Sequence, residues 1–484
     1  MKKGLGMLSA AFLLLLMLSC NTASELAQKP NIVYILMDDM GYGDAGCYGQ
    51  EKFITPNIDN LALGGMKFTQ HYSGSTVCAP SRSSLLTGQH TGHTPIRGNK
   101  EIKPEGQAPM PAAAVTIAEV LQGAGYVTGA FGKWGLGFVG TEGDPNNQGF
   151  DEFFGYNCQR MAHRYYPSHI WHNSDKVMMQ GNDWKHTVTY AQDLIQDATL
   201  DFIENNKDKP FFAYVPILLP HAELLVPEDE LWAMYDDQFV ETPFVASEGG
   251  DYDENNVIYK YASQPKPRAA FAAMMTRADG YVGEIMEKLK ELGLDENTIV
   301  MFSSDNGPHQ EGGADPDFFN SNGGLRGYKR DLYEGGIRSP FLAVWPGKIA
   351  AGSTSDHISA FWDVMPTLAD AAGVELENET DGISFLPTLL NKGEQQQHDY
   401  LYWEFHERGG RLGVRMGDWK GIIYNVSKET PDDFELYDLS TDPAETHNVA
   451  KSYPEIEAKL REIMKNARTE SSVYKFKAHT SIEE

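Results

Sequence analysis

Ile32-Val33-Tyr34-Ile35-Leu36-Met37, closed by Asp38-Asp39, is the stretch that decides the fold. A short, continuous apolar run bounded by polar residues fits a strand buried on both faces. Runs of the same kind recur at residues 126–131, 211–215 and 298–302. Helical patterns lie between them. Thr116-x-x-Glu119 reads as a capping box opening a helix that stops near Gly123. Leu194, Ile195, Ala198, Phe202 and Ile203 repeat at helical spacing, as do Met275, Ala278, Val282, Ile285, Met286 and Leu289. Alternation of this kind predicts an α/β fold over residues 31–390, a large and mostly parallel sheet sandwiched by helices. Past residue 391 the pattern changes. Residues 400–405, 411–416 and 419–424 read as strands of a small antiparallel sheet, with a turn at Gly417-Asp418, and residues 455–468 as a closing helix. The expectation is a smaller C-terminal α+β subdomain over residues 391–484, joined through residues 378–397.

The polar residues fall at the strand ends. The first run leads into Asp38-Asp39 and the last into Ser303-Ser304-Asp305-Asn306-Gly307. The other two lead into Gly132-Lys133-Trp134 and Pro220-His221. In open α/β sheets the carboxyl ends of parallel strands line the ligand crevice, so these endings are expected to converge. Any one of them alone reads as a solvated loop residue; together they argue for a single site. Asp38, Asp39, Asp305 and Asn306 are hard oxygen donors. Clustered carboxylates repel unless a cation sits between them. No Cys/His spacing points to zinc, which leaves Ca²⁺ or Mg²⁺ as the chemical expectation.

The chain has 484 residues, 41% of them hydrophobic, which supports a large core and, by length, two or three domains. A formal charge of −28 speaks against nucleic acid as a partner, because such a partner needs a basic face. It does not exclude a small anion. Charges beyond roughly 8 Å are screened at physiological salt, whereas a cation about 4 Å from an anion contributes several kcal/mol at an effective dielectric of ~20. Local lysines and arginines decide the matter. At the N-terminus, Lys2-Lys3 precede an apolar stretch over residues 10–18 and then Ser19-Cys20. That stretch is too short for a permanent span. A small residue directly before cysteine resembles a bacterial lipoprotein cleavage site. Residues 1–20 are therefore expected to be a signal peptide, Cys20 a lipid anchor and residues 21–30 a tether. The expected location is the periplasm or outer membrane of a Gram-negative bacterium. Cys47 and Cys158 can pair in an oxidising compartment or stand as two buried thiols.

Cys78-Ala79-Pro80-Ser81-Arg82, followed by Ser83-Ser84-Leu85-Leu86-Thr87-Gly88, carries the chemistry. Pro80 suits a first helical turn, so Cys78 is expected to open a short helix. A helix N-terminus attracts an anion through its free N–H groups. The pentapeptide resembles the Cys-x-Pro-Ser-Arg signature of the formylglycine-dependent sulfatase family, arylsulfatase-like members of the alkaline phosphatase superfamily. The resemblance implies that a maturation enzyme oxidises Cys78 to formylglycine, whose hydrate is the nucleophile. It also implies one Ca²⁺ per chain, held by Asp38, Asp39, Asp305 and Asn306 with residue 78 completing the shell. Arg82 resembles the arginine that holds the hydrate. Lys133, His221 and Lys329 resemble the groups on the sulfate and its bridging oxygen, Lys329 lying in Gly327-Tyr-Lys329-Arg-Asp-Leu-Tyr333-Glu-Gly335-Gly336-Ile-Arg338.

One segment departs from the family pattern. Gly132-Lys133-Trp134-Gly135-Leu136-Gly137 stands where Gly-Lys-Trp-His-Leu-Gly is common. His90, His93, His163 or a neighbouring carboxylate are the candidates for the missing histidine's hydrogen bond to the hydrate. The activity implied is hydrolysis of a sulfate ester on a carbohydrate. The alternatives are a phosphatase or phosphonate monoester hydrolase of the same superfamily, or a non-catalytic glycan-binding lipoprotein. Residues 163–172, rich in aromatic and histidine side chains, read either as sugar subsites or as a packed loop. Glycine pairs at 312–313, 323–324 and 335–336 indicate close backbone approach near the site.

Overall fold

The computed structural model describes residues 29–476. The signal peptide, Cys20 and residues 21–28 of the tether lie outside the described residues, as do residues 477–484. The main sheet is built from β1 (Asn31–Asp38), β2 (Met66–Tyr72), β3 (Val127–Lys133), β4 (Glu152–Tyr156), β5 (His169–His172), β6 (Asp175–Met178), β7 (Phe211–Pro220), β8 (Thr298–Ser304), β9 (Arg338–Val344), β10 (Ser353–Ser355) and β11 (Ser359–Ala360). Their order is β10-β2-β9-β8-β1-β7-β3-β4-β5-β6, with β11 beside β2. The central strands β8, β1, β7, β3 and β4 are mutually parallel.

β1 is buried along its whole length, and its alternation divides it between two cores. Val33, Ile35 and Met37 enter one; Ile32, Tyr34 and Leu36 enter the other. The packing helices are α1 (Pro56–Gly64), α2 (Cys78–Thr87), α3 (Ile117–Gly123), α4 (Ala191–Asn205), α5 (Pro267–Glu291) and α6 (Val364–Ala372). α1, α4 and α5 cover the first core and α2, α3 and α6 the second. The Thr116–Glu119 capping box closes at the start of α3.

The sheet is more mixed than an alternating βα pattern implies. β9 runs antiparallel to both its neighbours, and β5 and β6 form an antiparallel ribbon at one edge. β7 extends past Val215 to Pro220, with a register shift opposite Leu36 and Asp38. That extension carries its end to the level of Asp38, where Pro220 pairs with it.

The C-terminal region forms a four-stranded antiparallel sheet in the order β12 (Leu401–Phe405), β13 (Arg411–Met416), β14 (Trp419–Tyr424), β15 (Glu435–Asp438). Gly417 makes the turn between β13 and β14 with φ 59°, a value that glycine reaches without a Cβ clash. α7 (Pro454–Asn466) packs Leu460 and Met464 onto this sheet. Tyr72, Trp362, Trp403 and Ile422 form an apolar seam between the two sheets. Across the same seam Lys420 of β14 sits between Glu334 and Glu445, all fully buried. Cys47 and Cys158 are free thiols, so the disulfide alternative is not realised.

Candidate active site

β1, β3, β7 and β8 deliver their polar endings to one edge of the sheet. Asp38 is the last residue of β1 and Lys133 the last of β3. His221 follows β7, and Asp305-Asn306 follow β8. α2 opens at Cys78 against the same edge, with the whole helix buried and Gly88 closing it in the left-handed conformation.

The Cys78 thiol donates to Asp38 Oδ1 at 3.3 Å, and Lys133 Nζ lies 3.5 Å from the sulfur. Lys133 also pairs with Asp38 Oδ2. Arg82, one turn along α2, donates from Nε and Nη2 to Asp305 Oδ2 at 3.0 and 2.8 Å and from Nη1 to the Lys133 carbonyl. Asp39 accepts from Lys329 Nζ and Asn306 Nδ2, each at 2.7 Å, and His221 Nε2 lies 3.5 Å away. The Asp39 N–H donates to Asp305 Oδ1 at 3.1 Å. Asp38, Asp39, Cys78 and His221 bring ligand atoms within 4.8 Å of one another. The backbone is tightened around this cluster. Asp39 and Arg330 hold φ of 67° and 81°, strained values that tend to gather at working sites. A Cβ on Gly307 would lie 2.0 Å from the Gly335 carbonyl oxygen.

Electrostatics separate the groups. Burial, reinforced by Asp38, pushes the Cys78 thiol far up, so it stays a protonated, unreactive thiol. Burial opposes ionisation of Asp39, but the Lys329 ammonium overcomes it and holds the carboxyl well below its usual range. Burial and Asp38 push Asp305 up to about 7 against Arg82. Burial drives His221 well down, aided by Lys133, whereas Lys329 is raised because Asp39 outweighs its burial.

The residues fit a hard divalent cation. The donors are carboxylate and amide oxygens, and Asn306 Oδ1 is buried without a hydrogen-bond partner among the described residues.

Sequence comparison agrees with this geometry. The sulfatase family profile matches residues 30–374, and the profile "N-sulphoglucosamine sulphohydrolase, C-terminal" matches residues 326–470. The chain belongs to the sulfatase family. It is 33% identical to human arylsulfatase A, covering 93% of this chain and 89% of the relative. It is 31% identical to the N-acetylgalactosamine-6-O-sulfatase of Bacteroides thetaiotaomicron, covering 92% and 94%. Among solved structures, that of Ps i-CgsB superposes with a TM-score of 0.75 at 27% identity, covering 94% of this chain and 96% of that one.

Of the histidines considered for the place of Gly135 in this sulfatase, one adjoins the cluster. His163 stacks on His221 at 5.1 Å, but its Nδ1 faces the Tyr259 carbonyl. Burial and Lys133 push it down to about 3. His90 and His93 lie beyond the far end of α2 and engage Asp381. The Gly92 N–H donates to His90 Nδ1, which places that ring's proton on Nε2 and leaves no lone pair there for a metal. The room beside Gly135 is filled instead by Gln159: a Cβ there would lie 2.2 Å from Gln159 Nε2. Near the start of α2 the Ala79 N–H is taken, donating to Asn99 Oδ1 at 3.1 Å.

Of residues 163–172, Tyr165 and Tyr166 are buried in the core, and His169 and Trp171 bond Glu105 on the edge ribbon. That stretch is mainly packing. Sequence reading missed His309, which bonds the Pro220 carbonyl at 3.0 Å and stacks on His221 at 5.8 Å. Its position three residues past Asn306 was the available signal.

Proposed function

We propose that this sulfatase releases sulfate from a sulfated carbohydrate, using Cys78 after oxidation to formylglycine and one Ca²⁺. The observation that carries the reading is Cys78 itself: a buried, strongly protonated thiol is a poor nucleophile, yet it faces Asp38 and Lys133 at the centre of the cluster. Oxidised to formylglycine, residue 78 supplies an aldehyde hydrate as nucleophile, and bound Ca²⁺ supplies charge that favours its ionised form. Asp38, Asp39, Asp305 and Asn306 would hold the ion. Arg82 fixes Asp305 and the end of β3, which sets the position of Lys133. Lys133, beside residue 78, and Lys329, held by Asp39, would offer positive charge to the sulfonyl oxygens. Lys329 or His221, both held beside Asp39, would protonate the departing alcohol oxygen.

A carbohydrate substrate is supported by the relative named N-acetylgalactosamine-6-O-sulfatase. It is also supported by the Ps i-CgsB structure in complex with k-i-k-neocarrahexaose. Export and lipid anchoring at Cys20 complete the reading and rest on Lys2-Lys3, the apolar run and Ser19. Metabolic labelling with a fatty acid, lost in Cys20→Ser, tests the anchor.

The test of the activity is sulfate release from 4-nitrophenyl sulfate and from sulfated galactose and N-acetylgalactosamine, beside the matched phenyl phosphate. Peptide mass spectrometry of residue 78 accompanies it. Preferred sulfate hydrolysis, an aldehyde mass at residue 78 and loss of turnover in Cys78→Ala are expected. Full activity in that variant, or a preference for the phosphate, refutes the proposal.

A further inference from the structure

The chain from Gly249 to Ala262 is fastened beside His163 and Glu223 at several points. The His163 ring bonds the Tyr259 carbonyl at 3.1 Å, and Arg164 Nη2 donates to the Val257 carbonyl at 3.1 Å. Glu223, fully buried just past His221, accepts from the Ala262 N–H at 3.3 Å and from the Tyr252 hydroxyl. These anchors present Tyr261. Its ring lies 5.1 Å from His163 and 6.4 Å from His221, centroid to centroid. The residue is only half-buried, and its hydroxyl makes no hydrogen bond among the described residues. Burial pushes the pKa of its hydroxyl above the usual value, with Lys329 opposing.

We infer that Tyr261 is a positioning residue for the substrate, an aromatic platform on which the pyranose ring bearing the sulfate stacks. The inference rests on the proposed sulfatase reading of the same site. His221 is buried, and the His163 and Tyr261 rings, each partly exposed, pack beside it. A sulfate held by Lys133 and Lys329 would leave its sugar ring within reach of these partly exposed rings. A sugar's C–H face is apolar and its hydroxyls are polar. Tyrosine matches both, with a broad apolar face and a free hydroxyl at its edge. The buried anchors make the platform rigid, so little ordering is lost when the ring stacks.

The experiment compares Tyr261→Ala and Tyr261→Phe with the wild type. The sugar probe is whichever of galactose 6-sulfate, galactose 4-sulfate and N-acetylgalactosamine 6-sulfate the wild type cleaves fastest. Inorganic sulfate, a competitive inhibitor without a ring, reports the sulfate pocket alone. Tyr261→Ala is expected to lower kcat/KM for the sugar about tenfold, mainly through KM, while the sulfate inhibition constant stays within about twofold. Tyr261→Phe keeps the face and is expected to stay within about threefold of wild type. An unchanged kcat/KM in Tyr261→Ala overturns the inference. So does an equal weakening of sulfate inhibition, or a loss in Tyr261→Phe as large as in Tyr261→Ala. A wild type that cleaves 4-nitrophenyl sulfate but none of the sugars overturns the platform and leaves the sulfatase chemistry standing. A wild type inactive on every sulfate ester refutes the functional reading beneath it.

Discussion

Lys420→Met is the perturbation whose consequence the structure sizes most directly. Lys420 Nζ lies 2.8 Å from Glu334 Oε1 and 2.9 Å from Glu445 Oε1, with all three side chains at zero exposure. Glu334 lies in the segment that carries Lys329, and its backbone N–H donates to Glu445 Oε2 at 2.6 Å. The lysine therefore ties the C-terminal sheet to the segment that carries Lys329. Methionine fills similar volume but leaves two buried carboxylates without their shared cation, which costs roughly 3–5 kcal/mol. The loss depends on pH. Burial already pushes Glu445 up to about 7 despite Lys420, with Glu334 adding to the rise. A carboxyl raised in the folded state holds a proton there that the unfolded chain has released. Stability then falls as pH climbs from the ordinary carboxyl value through the folded value. Burial opposes ionisation of Glu334, but Lys420 and the neighbouring arginines hold it down to about 2, so removing Lys420 raises both carboxyls and extends this window upward. Denaturant unfolding at pH 8 should show the full loss, and at pH 5.5 a loss smaller by about 1.4 kcal/mol for each pH unit of protonation recovered. Glu334→Gln with Glu445→Gln in the Lys420→Met background should restore much of the loss. A penalty below about 1 kcal/mol at pH 8, or one that does not change with pH, refutes this account of the seam.

Asn306→Ala removes a buried oxygen that has no partner among the described residues, so Ca²⁺ affinity should fall at least about tenfold, the Ca²⁺-dependent rise in melting temperature shifting to higher ion concentration; an unchanged affinity by calorimetry contradicts the ligand assignment. His71 is fully buried 4.2 Å from the Phe341 ring, and burial, then His357, pushes it down to about 3. Its neutral form stabilises the fold fully above the unfolded value near 6.5, and that stabilisation is lost as pH falls toward 3. His71→Phe should flatten the acid side of the stability curve by up to about 1.4 kcal/mol per pH unit, and parallel curves at pH 7 and 4.5 would exclude it. Gly307→Ala drives a methyl to 2.0 Å from the Gly335 carbonyl oxygen and should lower both soluble yield and melting temperature, whereas Gly64→Ala, with nothing within 4 Å, should be neutral. Equal behaviour of the two variants would show that the backbone yields freely.

The central sheet was legible because its strands are buried on both faces and read as uninterrupted apolar runs. The flanking strands were not. β2 alternates Lys67, Thr69 and Gln70 with apolar residues, since one side is only partly covered. β9 contains Pro340 beside a register shift, a residue that ordinarily argues against a strand. The cluster was legible where its members close apolar runs, as Asp38, Lys133 and Asp305 do, and where a local motif marks them, as at Cys78 and Arg82. His309, Gln159 and Tyr261 come from loops without periodicity. Their approach depends on distant anchors such as Glu223, and no local pattern encodes a contact of that kind. Gly135 shows the limit most sharply. The chain reveals that a side chain is absent there, but only the fold shows that Gln159 takes its volume.

The charge arrangement explains how so acidic a chain serves an anionic substrate. Asp38, Asp39 and Asp305 are matched in number by Arg82, Lys133 and Lys329, but not in place: Arg82 and Lys133 are drawn to Asp38 and Asp305, and Lys329 to Asp39. Asp305, raised to about 7, is the carboxyl that this pairing satisfies least. A divalent ion among the oxygens would relieve it and would loosen the hold of Asp38 on Lys133 and of Asp39 on Lys329. Those ammonium groups would then be free to offer their charge to an incoming sulfate. Metal binding and anion binding would support one another, and the −28 formal charge of the whole chain, spread over a screened surface, would have little say in either.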